Sequence, residues 1–224
     1  MSALRPVLPL PLIMLVTDRT ACGGRRLEDV VAAAVEGGVN VVQLREKDLP
    51  AADLYGIAQR LRQIVGTQAL LLINDRIDVA LTADVHGVEL GSGSLPTPAA
   101  RTLLTDLLIG RSVHSVAHAA EAVADGADLL VVGTMFASRS HPGLTPAGPS
   151  LIRKVAALAT VPIIGIGGIT PANAAQVIAA GASGVAAITS ITQALDPRDA
   201  AARLVAAVQE AWPTAPLHKR HSHG

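Results

Sequence analysis

From residue 12 onward the chain keeps switching between two kinds of apolar spacing, and this alternation constrains the fold more than any single motif. Short continuous apolar runs fall at 12–18, 39–46, 69–75, 87–90, 108–114, 127–135, 161–168 and 184–190. Ala-rich stretches with helical spacing follow them at 26–38, 51–65, near 77–83, 97–107, 116–125, 150–159, 171–181 and 198–211. A run that is apolar at every position suits a strand buried on both faces of a parallel sheet. Parallel neighbours need a crossover connection, usually a helix. The punctuation agrees: Gly37 and Gly38 close the first helical stretch, and Pro171 opens the seventh. Eight such units predict an α/β protein, a single-domain (β/α)8 TIM barrel. An open doubly wound sheet is the alternative, and the lack of an early G-x-G-x-x-G turn argues against it. The predicted boundaries are a lead-in at 1–11, the barrel at 12–212 and a disordered His-rich tail at 213–224.

Composition narrows the function. Lys plus Arg and Asp plus Glu are balanced at 18 each. No basic excess exists to pair with a nucleic acid or a membrane surface. The only aromatic residues are Tyr55, Phe136 and Trp212, so the core must be aliphatic. Cys22 is alone, which rules out an internal disulfide and suits a cytoplasmic location. The proline-rich run 6–17 flows into the polar TDR, and reads as a lead-in to the first strand rather than a signal peptide. No apolar run reaches membrane-spanning length. The sequence leaves open whether copies assemble into a homo-oligomer.

In such a barrel the chemistry lies at the C-terminal ends of the strands. Those ends read TDR (17–19), QLREK (43–47), INDR (73–76), ELGSGS (89–94), GRSVHS (110–115), GTMFASRS (133–140), GIGGIT (165–170) and ITSI (188–191). GIGGIT is a glycine-rich turn before a helix, and ITSI adds hydroxyls and amides. Together Gly167, Gly168, Ile188 and Thr189 form a candidate phosphate cradle. In QLREK the alternation aims Gln43, Arg45 and Lys47 to one side of a strand. Two cations aimed into a barrel mouth call for an anion, either a ligand or the neighbouring carboxylates Glu46 and Asp48. His114 is a candidate proton carrier or a hydrogen-bonded structural histidine; spacing does not choose.

These strand ends, with the run PIIGIGGITPANAAQVIAAGASGVAAITSI, resemble the thiamine-phosphate synthase/TenI family from about residue 12 to 205. The family's synthases join a pyrimidine diphosphate to a thiazole phosphate carboxylate with Mg²⁺. Its thiazole tautomerases shift a proton on a similar thiazole phosphate without metal. The resemblance implies a phosphate cradle from Ser138, Ser140, Gly168, Ile188 and Thr189. It implies substrate contacts from Gln43, Arg45, Lys47 and Asn74, with Ser112 on the strand-five end, and His114 as the catalytic residue. In a synthase, Asp75 would bind Mg²⁺. Where the synthase pattern resembles H-x-G-Q-x-D, this chain has Glu89, Ser92 and Ser94; where it resembles T-x-T-K, it has Ser138, Arg139, Ser140 and His141. The turn GSGS and the phrase GRSVHS resemble the tautomerase branch. The expectation is therefore a tautomerase acting on a carboxythiazole phosphate with no cofactor. The alternatives are a Mg²⁺-dependent synthase and a non-catalytic phosphate-metabolite binder.

Overall fold

The computed structural model describes residues 5–137 and 145–212. Eight parallel strands close into a barrel in sequence order, β1 (Leu12–Val16), β2 (Val41–Leu44), β3 (Leu70–Asn74), β4 (Gly87–Leu90), β5 (Leu108–Val113), β6 (Leu129–Gly133), β7 (Ile163–Ile166) and β8 (Gly184–Ala187). The β8 strand pairs back onto β1, with Leu12 opposite Gly184. The outer layer holds α1 (Leu27–Glu36), α2 (Ala51–Val65), α3 (Ile77–Thr82), α4 (Thr97–Leu103), α5 (Val116–Ala124), α6 (Pro149–Ala156), α7 (Pro171–Ala179), the short α8 (Thr189–Thr192) and α9 (Pro197–Ala211). The single-domain barrel read from the alternation is what the chain forms. The tail at 213–224 lies outside the described residues.

Side-chain alternation splits the core in two. Leu12, Met14, Val16, Val41, Leu72, Leu108, Leu129, Val131, Ile164 and Ala186 fill the barrel interior. The intervening strand residues, such as Ile13, Leu15, Val42, Ile73, Val88 and Ile109, pack outward against the helices. Each side chain removed from water on both sides of the sheet contributes roughly 1.5–3 kcal/mol. This is why the strands are apolar throughout.

The strands are shorter than the apolar runs, and at two of their ends the difference bears on the cavity. The apolar run 184–190 is not all strand: Ile188 leaves the extended region at φ −118° and ψ −88°, and α8 begins at the next residue. The run 39–46 keeps only Val41–Leu44 as strand, so Arg45 and Lys47 sit beyond it.

The opposite end of the barrel is sealed by one arrangement used four times. Asn40, His86, Asp128 and Ser183 each precede an even-numbered strand. Each donates its backbone N–H to the carbonyl of Ile13, Leu71, Ile109 or Ile163, respectively. Each also accepts, through its side chain, the N–H of that same residue, at 2.8, 2.9, 2.7 and 3.2 Å. An N–H at the start of an odd strand would otherwise be an orphan donor at the base of the sheet. Asn40 also donates to the carbonyls of Pro9 and Pro11, and so ties down the lead-in.

Candidate functional site

A cavity of about 460 Å³ opens at the C-terminal ends of the strands. Its lining includes Arg45, Lys47, Asn74, Asp75, Ser112, His114, Gly167, Gly168, Ile188 and Thr189. The structure thus brings ten of the sequence-derived candidates together. Gln43 is not among the lining residues; it is buried a layer below, on the last inward position of β2. Ser138 and Ser140 lie outside the described residues.

The cation wall owes its freedom to Arg19. Glu46 and Asp48 were the carboxylates that could have neutralised Arg45 and Lys47, but Arg19 takes both. Its guanidinium grips Asp48 at 2.6 and 2.5 Å and reaches Glu46 at 3.2 Å. The hydrogen bond from Arg19 holds the Asp48 carboxyl down, to about 2, and the same contacts raise the Arg19 guanidinium above its usual range. Glu46 is buried and turned away from the cavity, accepting from Thr17 Oγ1 at 2.7 Å and Arg19 N at 3.1 Å. Thr17 Oγ1 in turn accepts from Arg45 N at 2.9 Å. Arg45 and Lys47 have no ion pair to a described residue, so two uncompensated cations face the cavity.

The second wall comes from the ends of β7 and β8. Gly167 and Gly168 have φ of +105° and +64°, values that favour glycine. At Gly168 a Cβ would also lie 2.6 Å from the Ala137 carbonyl. Asn173 fixes this turn, accepting from Thr170 N and donating to the Gly168 carbonyl, both at 2.8 Å. Thr189 and Ser190 lie at the start of α8 and line the cavity. The Ser190 hydroxyl is buried with no hydrogen-bond partner among the described residues. Arg25 clamps the far end of α8, donating to the carbonyls of Thr192 and Ala194 at 2.8 Å each. Ser190 is a lining residue that the sequence reading did not single out; its signal was the hydroxyl run in ITSI.

Between the walls stand Ser112 and His114. His114 Nδ1 lies 2.9 Å from the Gly133 carbonyl oxygen. A carbonyl only accepts, so Nδ1 carries a hydrogen, and in the neutral imidazole the lone pair lies on Nε2. Asp75 lines the cavity beside them, at a φ of +61°. Its carboxylate accepts from Ser94 Oγ, from Gly91 N at 3.3 Å and from Asn74 Nδ2 at 3.0 Å. The Glu89 backbone carbonyl accepts from Asp75 N at 3.0 Å, but its carboxyl makes no hydrogen bond to Asp75 and is absent from the cavity lining. It is buried in the barrel interior and bonded to Ser112 Oγ at 2.9 Å.

The family model for thiamine monophosphate synthase, TMP-TENI, matches residues 13–191. The chain belongs to the TMP-TENI family. It is 43% identical over 204 residues to a thiamine-phosphate synthase of Haloarcula marismortui, covering 88% of this chain and 97% of that protein. A thiamine-phosphate synthase of Moorella thermoacetica is 42% identical over 185 residues, covering 81% and 88%. A solved thiamine phosphate pyrophosphorylase from Pyrococcus furiosus superposes with a TM-score of 0.83 at 34% identity, covering 89% of this chain and 96% of that one. Membership makes this chain an enzyme of thiamine biosynthesis. The comparisons give no specific support to the tautomerase branch, and the synthase, the alternative drawn from the sequence, agrees with them better.

Proposed function

We propose that the chain is a thiamine-phosphate synthase, joining a pyrimidine diphosphate to a thiazole phosphate carboxylate. The observation that carries this reading is that one cavity has two anion-receptive walls. Arg45 and Lys47 form one, and the Gly167–Gly168 turn with Thr189 and Ser190 forms the other. A proton shift on a carboxythiazole phosphate would set only a ring carboxylate against Arg45 and Lys47; a condensation of two phosphorylated substrates sets a diphosphate there, which two cations suit better. The names of the relatives at about 40% identity support the same reading. Arg45 and Lys47 stabilise the departing diphosphate, while the glycine turn holds the thiazole phosphate. Holding both partners in one cavity removes most of the entropic cost of their meeting.

The donor set fits Mg²⁺ as a one-carboxylate site. Mg²⁺ is commonly held by one or two carboxylates together with substrate phosphates. Asp75 offers the one carboxylate, and Ser94 stands as a hydroxyl where the synthase pattern has a second. Bound there, the ion would offset charge on the leaving diphosphate.

A thiazole tautomerase is the second reading, favoured by Ser94 and by His114, whose Nε2 has no hydrogen bond to a described residue. Supplying both substrate sets, with and without Mg²⁺, separates the two. Metal-dependent formation of thiamine phosphate is expected. Aromatisation of the thiazole alone, unaffected by chelator, would replace the synthase with the tautomerase. Binding of the phosphates without turnover of either set would leave a non-catalytic binder.

A further inference from the structure

Glu89 is a carboxyl that β4 turns into the barrel, where it is 1% exposed. Its Oε1 lies 2.9 Å from Ser112 Oγ, and its Oε2 has no hydrogen-bond partner among the described residues. Residue 110, its register partner on β5, is a glycine. A Cβ there would collide with Oε2, so the two strands together leave a slot shaped for this carboxyl. Ser112 lines the cavity and Glu89 does not. The acid therefore sits one layer beneath a hydroxyl that a substrate can touch.

That geometry places the proton. An ionised Glu89 would leave a charged oxygen buried and unpaired, and would take up the single hydrogen of Ser112. A neutral Glu89 protonated on Oε1 leaves Oε2 as a plain carbonyl, which is better tolerated without a partner. It then donates to Ser112 Oγ and releases the serine hydrogen.

We propose that Glu89 is a positioning residue: as the neutral acid it donates to Ser112, and so turns the Ser112 hydroxyl into a donor toward an acceptor atom of the substrate. The proposal rests on the cavity being the site of synthesis described above. The charged groups around Glu89 are Asp75 at the end of β3 and Arg111 on β5. Arg45, Lys47 and the titratable His114 line the cavity above it. Burial is the main cause that lifts the carboxyl, to about 8; Arg111 opposes the shift and Asp75 adds to it.

The test is direct binding of the pyrimidine diphosphate and of the thiazole phosphate, by calorimetry, at about pH 7. The proteins are wild type, E89Q, E89A, S112A and the E89A/S112A pair. E89A should bind at least one ligand about tenfold more weakly than wild type. E89Q should recover most of that loss, because its amide donates as the acid does. The double variant should be no worse than S112A alone. Failure of E89Q to recover the loss, or effects of E89A and S112A that multiply, would overturn the proposal. Because binding is read without turnover, failure here is separate from failure of the synthase reading.

Discussion

At the scale of single residues, position along a strand decides what was legible. Asn74, Asp75, Ser112 and His114 stand at or near strand ends, so their place in the cavity follows from the strand boundaries. Glu89 lies one residue inside the end of β4, and its role follows from what lies across the barrel wall, a glycine and a serine on the next strand. No spacing within GVEL reveals that. The acid also couples stability to pH. Its folded-state value of about 8 lies above the usual 4.5, so the folded chain binds the proton more tightly. The stability from the neutral acid is full below about 4.5 and is lost as pH rises through about 8. Urea unfolding of wild type and E89Q at several pH values should show the wild type losing stability across that window relative to E89Q. Parallel curves would refute the shift. Gly168 offers a second check. Alanine there must adopt a φ of +64° and press on the Ala137 carbonyl, so G168A should weaken thiazole phosphate binding by at least tenfold, measured by calorimetry.

At the scale of elements, eight helical stretches and eight apolar runs map onto the structure within a few residues. The departure at β8 is instructive. ITSI continues an apolar run, so periodicity extends the strand, yet the backbone curls at Ile188 and presents α8 to the cavity. A four-residue helix has almost no cooperativity of its own. Its place is set by Arg25, which comes from the far side of the sequence and grips its C-terminal carbonyls. Hydrogen bonds from a charged donor contribute roughly 1.5–3 kcal/mol each. Arg25→Ala should therefore lower the melting temperature, and should also weaken thiazole phosphate binding although Arg25 does not line the cavity. Calorimetry of that variant with unchanged phosphate affinity would show that α8 holds its place unaided.

At the scale of the whole molecule, the alternation of strand and helix carried enough information for the closed barrel. The sealing of its base was missed for a physical reason. Asn40, His86, Asp128 and Ser183 share no chemical type; what they share is a lone pair at one geometric position. Each is a polar residue just before an apolar run, and an ordinary turn looks the same in sequence. Removing one lone pair should leave a buried N–H unpaired, at a cost of about 1–3 kcal/mol. Asn40→Ala should show that loss in urea unfolding while kcat stays unchanged, since the cavity lies at the other end.

The fourfold arrangement also says how the barrel could be taken apart. Two of the seals lie wholly within residues 5–105 and two within 106–212. A break after the exposed Thr105 severs none of them. Each piece keeps its own sealed strand pairs and lacks only the seams that the other supplies. The two pieces, produced together as separate polypeptides, should find each other and assemble into a working enzyme.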